Sequence, residues 1–545
     1  MHRTIGAALA ASLKDNASKI AIIEHDGAYA GYQCSFEELG QQASGLAHVY
    51  SQFTEESSSV GLLMRRSAAH VSAIVAAVQS NRLFYSINPS VSGTQFAHMV
   101  GSTNTEIIVS DTANLIKLAS FASQHPAKFR VILIEDGDLN AVQETALSNL
   151  SQSTEVLKFS TTEIIGAQLY RGRSSSRTAS GDDALQILFT SGSSGIPKSV
   201  VLRNKDVLLR AQSEIEAYEI QHHDRLLNIL PFSFDVGCNQ LYSALLSGCT
   251  LVTLNSWLPR DIVSAFKEHA ITGISGVPAI WSPLLEIDAD TLEVASQSLR
   301  YLTISGGSLP PVQQETLRRK LSNTHVFKTY GQTETFRSTM LRPGEIDRKG
   351  DTVGRPVPGV NIAIIKPDGS RAGPGEKGEI VHAGRGTMLG YHQDPKGTEQ
   401  KLRPAPSWLE TGGQPVVFTG DCGTIDTEGF LTILGRMDRM LKIKGNRVYP
   451  EEIENQVLEH PNVVDAVALE NGPDRLKVIL RVKPDGALSP IQLMQFLARR
   501  LPSYMIPQDY DFVGNIPKTS TGKTDLATVS GTTSQQERSL DSHEA

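Results

Sequence analysis

Between residues 19 and 307, short apolar runs alternate with longer stretches of helical periodicity. KIAIIE (19–24), VGLLM (60–64), TEIIVSD (105–111), RVILIE (130–135), LQILF (185–189), TLVTL (250–254) and YLTISGG (301–307) have the length and branched-residue content of buried strands. Helical stretches separate or follow them: SFEELGQQASGLAHVY, in which Ser35 and Glu38 have capping-box spacing, AAHVSAIVAAVQS and VQQETLRRKL. Strands that are apolar throughout must be covered on both faces, so the pattern predicts mostly parallel sheets flanked by helices, an α/β class.

A chain of 545 residues exceeds what one hydrophobic core can organise. From 346 to 435 the texture changes to Gly- and Pro-rich strands (NIAIIKPDG, GEIVHAG, GFLTILG), which read as a small β unit attached to the large α/β domain. After GRMDRMLKIKG (435–445), a Pro-started helix and a strand in PEEIENQVLEHPNVVDAVALE, then KVILRVKPDG and a helix at 488–500, read as a small α+β domain. The expected division is a core domain 1–436, a small domain 437–528 and a polar, disordered tail 529–545.

The net charge of -7 is spread without like-charged blocks, which gives no support to a nucleic-acid partner. The four cysteines lack CxxC spacing, so neither a disulfide framework nor a cysteine zinc site is expected, and a reducing cytoplasm fits. IGAALAASL ends in Lys14 and Asp15 and reads as an amphipathic first helix rather than a signal peptide. No apolar stretch approaches the roughly 18 residues needed to cross a bilayer, so no stable membrane insertion is expected.

The loop FTSGSSGIPKS (189–199) gathers hydroxyls, glycines and Lys198, a composition suited to an oxyanion such as phosphate. It is not a Walker A loop: Pro197 precedes the lysine, and SVVLRN after it reads as a strand, so the loop is a hairpin connection. STGKT (520–524) fails the same test, because Pro517 stands where the first glycine belongs.

TYGQTE (329–334), FTGD (418–421), GRMDRMLKIKG (435–445) and PKTSTGK (517–523) follow that loop in order. Together the five motifs resemble the adenylate-forming superfamily of acyl-CoA synthetases, luciferases and peptide-synthetase adenylation domains, over residues 15 to 527. The resemblance implies the superfamily's fold, a large α/β domain with a small mobile C-terminal domain. It also implies conversion of a carboxylate and ATP into an acyl adenylate and pyrophosphate, then transfer to a thiol. Ser194 and Ser199 depart from the threonine and glycine of many relatives; the first keeps its hydroxyl, and the second leaves the loop conformation open.

Residue by residue, the resemblance assigns Thr190, Ser191, Gly192, Ser193, Ser194, Gly195 and Lys198 to the β- and γ-phosphates. It places Tyr330 on the adenine face, with Gly307 and Gly331 also at the nucleotide. Thr333 would donate to the α-phosphate, Glu334 would hold Mg²⁺, Asp421 would accept from the ribose hydroxyls with Arg436 close by, and Lys523 would bridge carboxylate and α-phosphate. Asp438 would be the hinge about which the small domain turns between the two half-reactions.

In PFSFDVGCNQLY (231–242), Asp235 matches the aspartate that binds the substrate ammonium in amino-acid-activating relatives; its simpler reading is a helix N-cap. The implied side-chain pocket is Val236, Asn239, Ser275, Ile304, Gly306, Thr329, Arg337 and Ser338. A pocket arginine either pairs with an acidic substrate or occupies the space itself, and the second case leaves room only for a very small side chain, favouring glycine. After Lys523 no phosphopantetheine attachment segment is evident, so the expected acceptor is the phosphopantetheine thiol of a separate carrier protein. The layout is similar to D-alanine–carrier protein ligases and most like the glycine–carrier protein ligases of lipid A glycylation. GNRVYPEEIE, more typical of acyl-CoA synthetases, keeps an acyl- or aryl-CoA synthetase open. The same motifs are compatible with a ligase for aspartate, glutamate or D-alanine, with an amide synthetase and with a non-catalytic nucleotide-binding protein.

Overall fold

In the computed structural model, which describes residues 3–25, 31–53, 58–124, 129–135, 138–161, 163–164, 179–190, 196–484, 486–519, 522–526 and 528–529, the apolar runs pair into two large sheets. One has nine strands, and its centre is parallel: Tyr301–Ile304 lies between Gly273–Gly276 and His325–Tyr330, and Ile20–His25 lies beside Thr250–Leu254. The other has eight strands and is parallel from Ala184–Thr190 through Val156–Ser160. Helices cover the apolar strands, as the alternation requires. In helix Phe36–Phe53 the Ser35 hydroxyl accepts from Glu38 N–H (3.1 Å), while the Glu38 carboxylate takes Ser35 N–H (2.8 Å), the capping box read in the sequence. IGAALAASL forms helix Ile5–Asp15, capped by Thr4, and buries Ile5, Leu9 and Leu13, each contributing about 2 kcal/mol of burial.

The Gly- and Pro-rich segment forms a five-stranded antiparallel sheet containing Val360–Ile365, Gly378–Gly384, Val416–Ile425 and Leu431–Arg436. It also sends the short strand Gly390–Tyr391 to the edge of the eight-stranded sheet, pairing with Val200 and Val201. The C-terminal region is a three-stranded sheet, Val463–Glu470, Leu476–Val482 and Asp509–Phe512, backed by helices Pro450–Leu458 and Pro490–Ala498 around Ile453, Val457, Leu493 and Leu497. Val529, assigned by composition to the tail, packs with Val467, Ile479 and Ile516, because its isopropyl group fills the back of that sheet. Residues 530–545 lie outside the described residues. All four cysteines are free and buried. Among the described residues no helix is long and apolar enough to cross a membrane.

In the nine-stranded sheet, Gly276, Ile304 and Lys328 are in register, so the chain leaves three adjacent strands at one end, through Val277, Ser305 and TYGQTE. Side chains that follow parallel strands at their carboxyl ends line a common crevice.

Candidate active site

Asp421, near the middle of Val416–Ile425, is buried and held from three directions. The Tyr330 hydroxyl donates to Oδ2 (2.6 Å), the Gln332 amide donates to the same oxygen (2.7 Å), and Arg436 reaches Oδ1 (3.2 Å). Burial and the Asp421 charge push the Tyr330 phenol well above its ordinary pKa, so it remains a donor. The Tyr330 ring itself is buried, against Ile362, Ile364, Ile380 and Leu431. Arg436 also grips both oxygens of Asp438 (3.1 Å each), so one guanidinium joins the proposed ribose acceptor to the proposed hinge.

The turn after Tyr330 is tight. A Cβ on Gly331 would lie 1.4 Å from the Phe336 carbonyl oxygen, and Phe336 has φ +60°, so only glycine permits this closure. The turn brings Thr333 to Asp235, with its hydroxyl 3.3 Å from Oδ2. It also places Glu334 against Tyr391, whose hydroxyl donates to Oε1 (2.6 Å). Tyr391 arrives on the Gly390–Tyr391 edge strand, and Lys198 Nζ sits 5.3 Å from its ring centroid. Thr190 and Lys198 face each other across antiparallel strands, so the glycine-rich segment is the hairpin connection expected. Its Ser191, Gly192, Ser193, Ser194 and Gly195 lie outside the described residues.

Asp235 is the first residue of helix Asp235–Ser247, and among the described residues its Oδ1 accepts only from the adjacent Val236 N–H (2.7 Å). The N-cap position is Phe234, with no side-chain cap, so Asp235 is not an N-cap. Burial raises its pKa, against the opposing pull of Arg210 and Lys523. The Lys523 charge thus favours the ionised form of Asp235. The loop carrying it is seated on the large domain: a Cβ on Gly522 would meet Ala279 at 2.8 Å and Val277 at 3.2 Å.

The implied pocket residues converge in part. Gly306 has φ +72°, and a Cβ there would point at Val277 (3.4 Å) and Phe234 (3.7 Å), so a side chain would be strained and would enter the space beside Asp235. Val236 and Ile304 are buried; Thr329 bonds Ser305 through their hydroxyls (2.7 Å). Ser275 is fully buried, with a hydroxyl lacking a partner among the described residues. Ser338 is engaged elsewhere, with His382 Nδ1 (3.0 Å) and Thr335 (3.1 Å). A Cβ on Gly307 would come within 3.3 Å of Pro278.

Arg337 is only 5 % exposed and has a protein partner, Glu214, at 3.9 Å. Its guanidinium lies 4.9 Å from both the Tyr218 and Phe336 ring centroids. Glu214 is also bonded by the Asn239 amide, so Arg337, Glu214 and Asn239 form one buried polar knot. Arg337 Nη1 and Glu214 Oε1 have no partner among the described residues.

Four contributors were not identified from sequence: Glu214, Arg210, Tyr391 and Lys401. Arg210 donates to the carbonyls of Thr333 (3.1 Å) and Gly386 (2.6 Å), bracing the TYGQTE turn, and burial brings its pKa down to about 10. Lys401 donates to the Thr419 carbonyl (2.7 Å) and feels the charges of Glu334, Asp421 and Lys198. A signal existed for the first two: Val207, Ala211, Glu214 and Tyr218 form one buried helical stripe, with Arg210 beside it, and charge on an apolar face asks for a partner.

Residues 9–392 match the family described as AMP-binding enzyme, and residues 452–523 match the AMP-binding enzyme C-terminal domain. A long-chain-fatty-acid–CoA ligase of Escherichia coli O157:H7 is 27% identical over 522 residues, 90% of this chain and 89% of that protein. An L-proline–[L-prolyl-carrier protein] ligase of Pseudomonas fluorescens is 32% identical over 353 residues, 63% of this chain and 68% of that protein. The fold is similar to that of ATP-bound MatB from Rhodopseudomonas palustris, with a TM-score of 0.80 at 21% identity over 98% of this chain and 99% of that one.

Proposed function

The chain belongs to the AMP-binding enzyme family, and from that premise we propose that it activates a small amino acid, glycine in first place, and passes it to the phosphopantetheine thiol of a carrier protein. Adenylation by ATP is the family's chemistry. Its obstacle is charge: a carboxylate must approach the anionic α-phosphate while pyrophosphate leaves. Lys198 at the mouth of the hairpin supplies positive charge for the outer phosphates, and Lys523 supplies it where carboxylate and α-phosphate meet. Glu334 would hold Mg²⁺: Tyr391 engages Oε1 and leaves the other carboxylate oxygen for the ion, which takes few protein ligands and completes its shell with phosphate and water. Such an ion would neutralise charge on the phosphates.

The observation that carries the substrate reading is the contrast between two buried charges. Asp235 retains acceptor capacity beside Thr333, suited to an α-ammonium whose carboxylate then lies toward Lys523. Arg337 is already partnered by Glu214. Drawing it to an acidic substrate would leave the buried Glu214 carboxylate without its opposite charge and with the Asn239 amide alone, at a cost of about 3–5 kcal/mol. A side chain as small as glycine's needs no such exchange, which favours glycine over aspartate or glutamate.

The similarity to a proline–carrier protein ligase supports a carrier as acceptor, and the longer similarity to a fatty-acid–CoA ligase supports CoA as the second reading. We extend the domain proposal of 1–436 and 437–528 to function, with Asp438 as the pivot that withdraws Lys523 before thiol transfer. A cytoplasmic enzyme charging a carrier for lipid A glycylation is the setting this layout suggests. Incubation with ATP, Mg²⁺, labelled glycine and either a phosphopantetheinylated carrier or CoA tests the acceptor. A hydroxylamine-labile glycyl thioester on the carrier is expected, and glycyl-CoA alone would select the second reading.

A further inference from the structure

A group of metal-ligating side chains lies apart from the residues of the adenylation site. His25 ends strand Ile20–His25, while Glu268 and His269 end helix Pro259–His269. His25 Nδ1 is 3.1 Å from His269 Nε2 and 3.6 Å from Glu268 Oε2, and one donor atom from each residue lies within 4.8 Å of the others. Donors bound to one tetrahedral zinc at about 2.0–2.1 Å stand about 3.3–3.4 Å apart, so the two shorter separations already bracket the spacing a cation demands. The imidazoles make a T-shaped contact, with planes at 85°.

The surroundings fit ligation better than a simple hydrogen-bonded pair. His25 and His269 are 3 % and 9 % exposed. A lone contact between the rings uses one proton for two buried imidazoles, whereas a cation would engage a lone pair on each. Ser264 donates to Glu268 Oε1 (2.6 Å), leaving Oε2 toward the histidines, an outer contact of the kind that orients ligating carboxylates.

Glu268 and His269 also line a cavity of about 410 Å³ together with Ile20, Gln33, Arg225 and Thr250. Ile20, Arg225 and Thr250 begin their strands, whereas His25 ends its own, at the end from which Gly306 and TYGQTE also emerge. Arg225 donates to the His269 carbonyl (3.3 Å), and its positive charge opposes cation binding and limits the affinity.

We propose that His25, Glu268 and His269 form a binding site for a borderline divalent cation of the zinc class, with three protein ligands and a fourth position open to the cavity. Two imidazoles select zinc-class ions over Mg²⁺ or Ca²⁺, which take all-oxygen shells. The ion would tie the first strand to helix Pro259–His269, independently of the amino acid activated.

Calorimetric titration of the metal-stripped full chain with Zn²⁺ tests this, with the visible band of bound Co²⁺ as a second reading. His222→Gln/His223→Gln is the background, because those exposed adjacent histidines are a competing zinc contact. One saturable site and a tetrahedral Co²⁺ spectrum are expected, both weakened by at least about tenfold in Glu268→Gln and His269→Gln and retained in Glu334→Gln. Glu268 is half exposed, so its replacement leaves the fold intact and keeps the test open if a histidine variant misfolds. Absence of binding in the parent protein, or binding unchanged by both substitutions, would overturn the assignment.

Discussion

At the scale of single residues, the site depends on what partners each buried charge already has. Asp235 must be ionised to hold an ammonium, and burial places its pKa above the ordinary aspartate value of 3.8. Affinity for the amino acid is therefore complete well above that raised pKa. It falls as the pH drops through it, starting at a higher pH than an exposed aspartate would give. Asp235→Asn removes the charge; loss of about 3 kcal/mol raises the amino-acid KM roughly a hundredfold and flattens its acid limb, with the KM for ATP nearly unchanged. Steady-state kinetics of both proteins from acid to neutral pH read this directly, and an acid limb that persists in the variant would assign it to another group. Asp235 was legible in the sequence because it stands inside a matched segment. The partner of Arg337 was not: Glu214 lies 123 positions from it along the chain, and only the packing of helix Asn204–Tyr218 brings the two together.

At the scale of elements, most strands and helices follow from local signals. The capping box at Ser35 and the hairpin between Thr190 and Lys198 both form where the sequence predicts. What local signals lack is long-range pairing. Nothing in GYHQD announces that Gly390–Tyr391 will leave its own sheet and bring Tyr391 to Glu334. Strand His325–Tyr330 carries another unannounced feature, Lys328, which is 7 % exposed, donates to the Gly350 carbonyl and is pushed down by burial to about 8. The unfolded chain holds this proton up to about 10.5, so the buried charge destabilises the fold below about pH 8, and stability recovers as pH rises from 8 to 10.5. The whole recovery is on the order of 3 kcal/mol. Denaturant midpoints of Lys328→Met and the parent protein should therefore converge between those pH values, with the variant the more stable at neutral pH. A constant difference would show that Lys328 is solvated when charged.

At the scale of the molecule, the alternation of apolar runs and helices was sufficient for the α/β class, and the change of texture after 346 for the separate β unit. Strand order was not legible, because it depends on which helices cover which face. Gly522 is seated against Val277 and Ala279, and the Lys523 charge favours the ionised form of Asp235, the arrangement the proposed adenylation step requires. Arg436 bonds both Asp421 and Asp438, joining the proposed ribose acceptor to the proposed hinge. As proposed, this crevice accepts an ammonium and refuses a side chain. ATP–pyrophosphate exchange with the purified full chain, across the twenty amino acids, D-alanine, β-alanine and a set of fatty and aryl acids, tests it most directly. Exchange dominated by glycine is the predicted result; exchange supported only by acids without an amino group, or dominated by aspartate or glutamate, would contradict it.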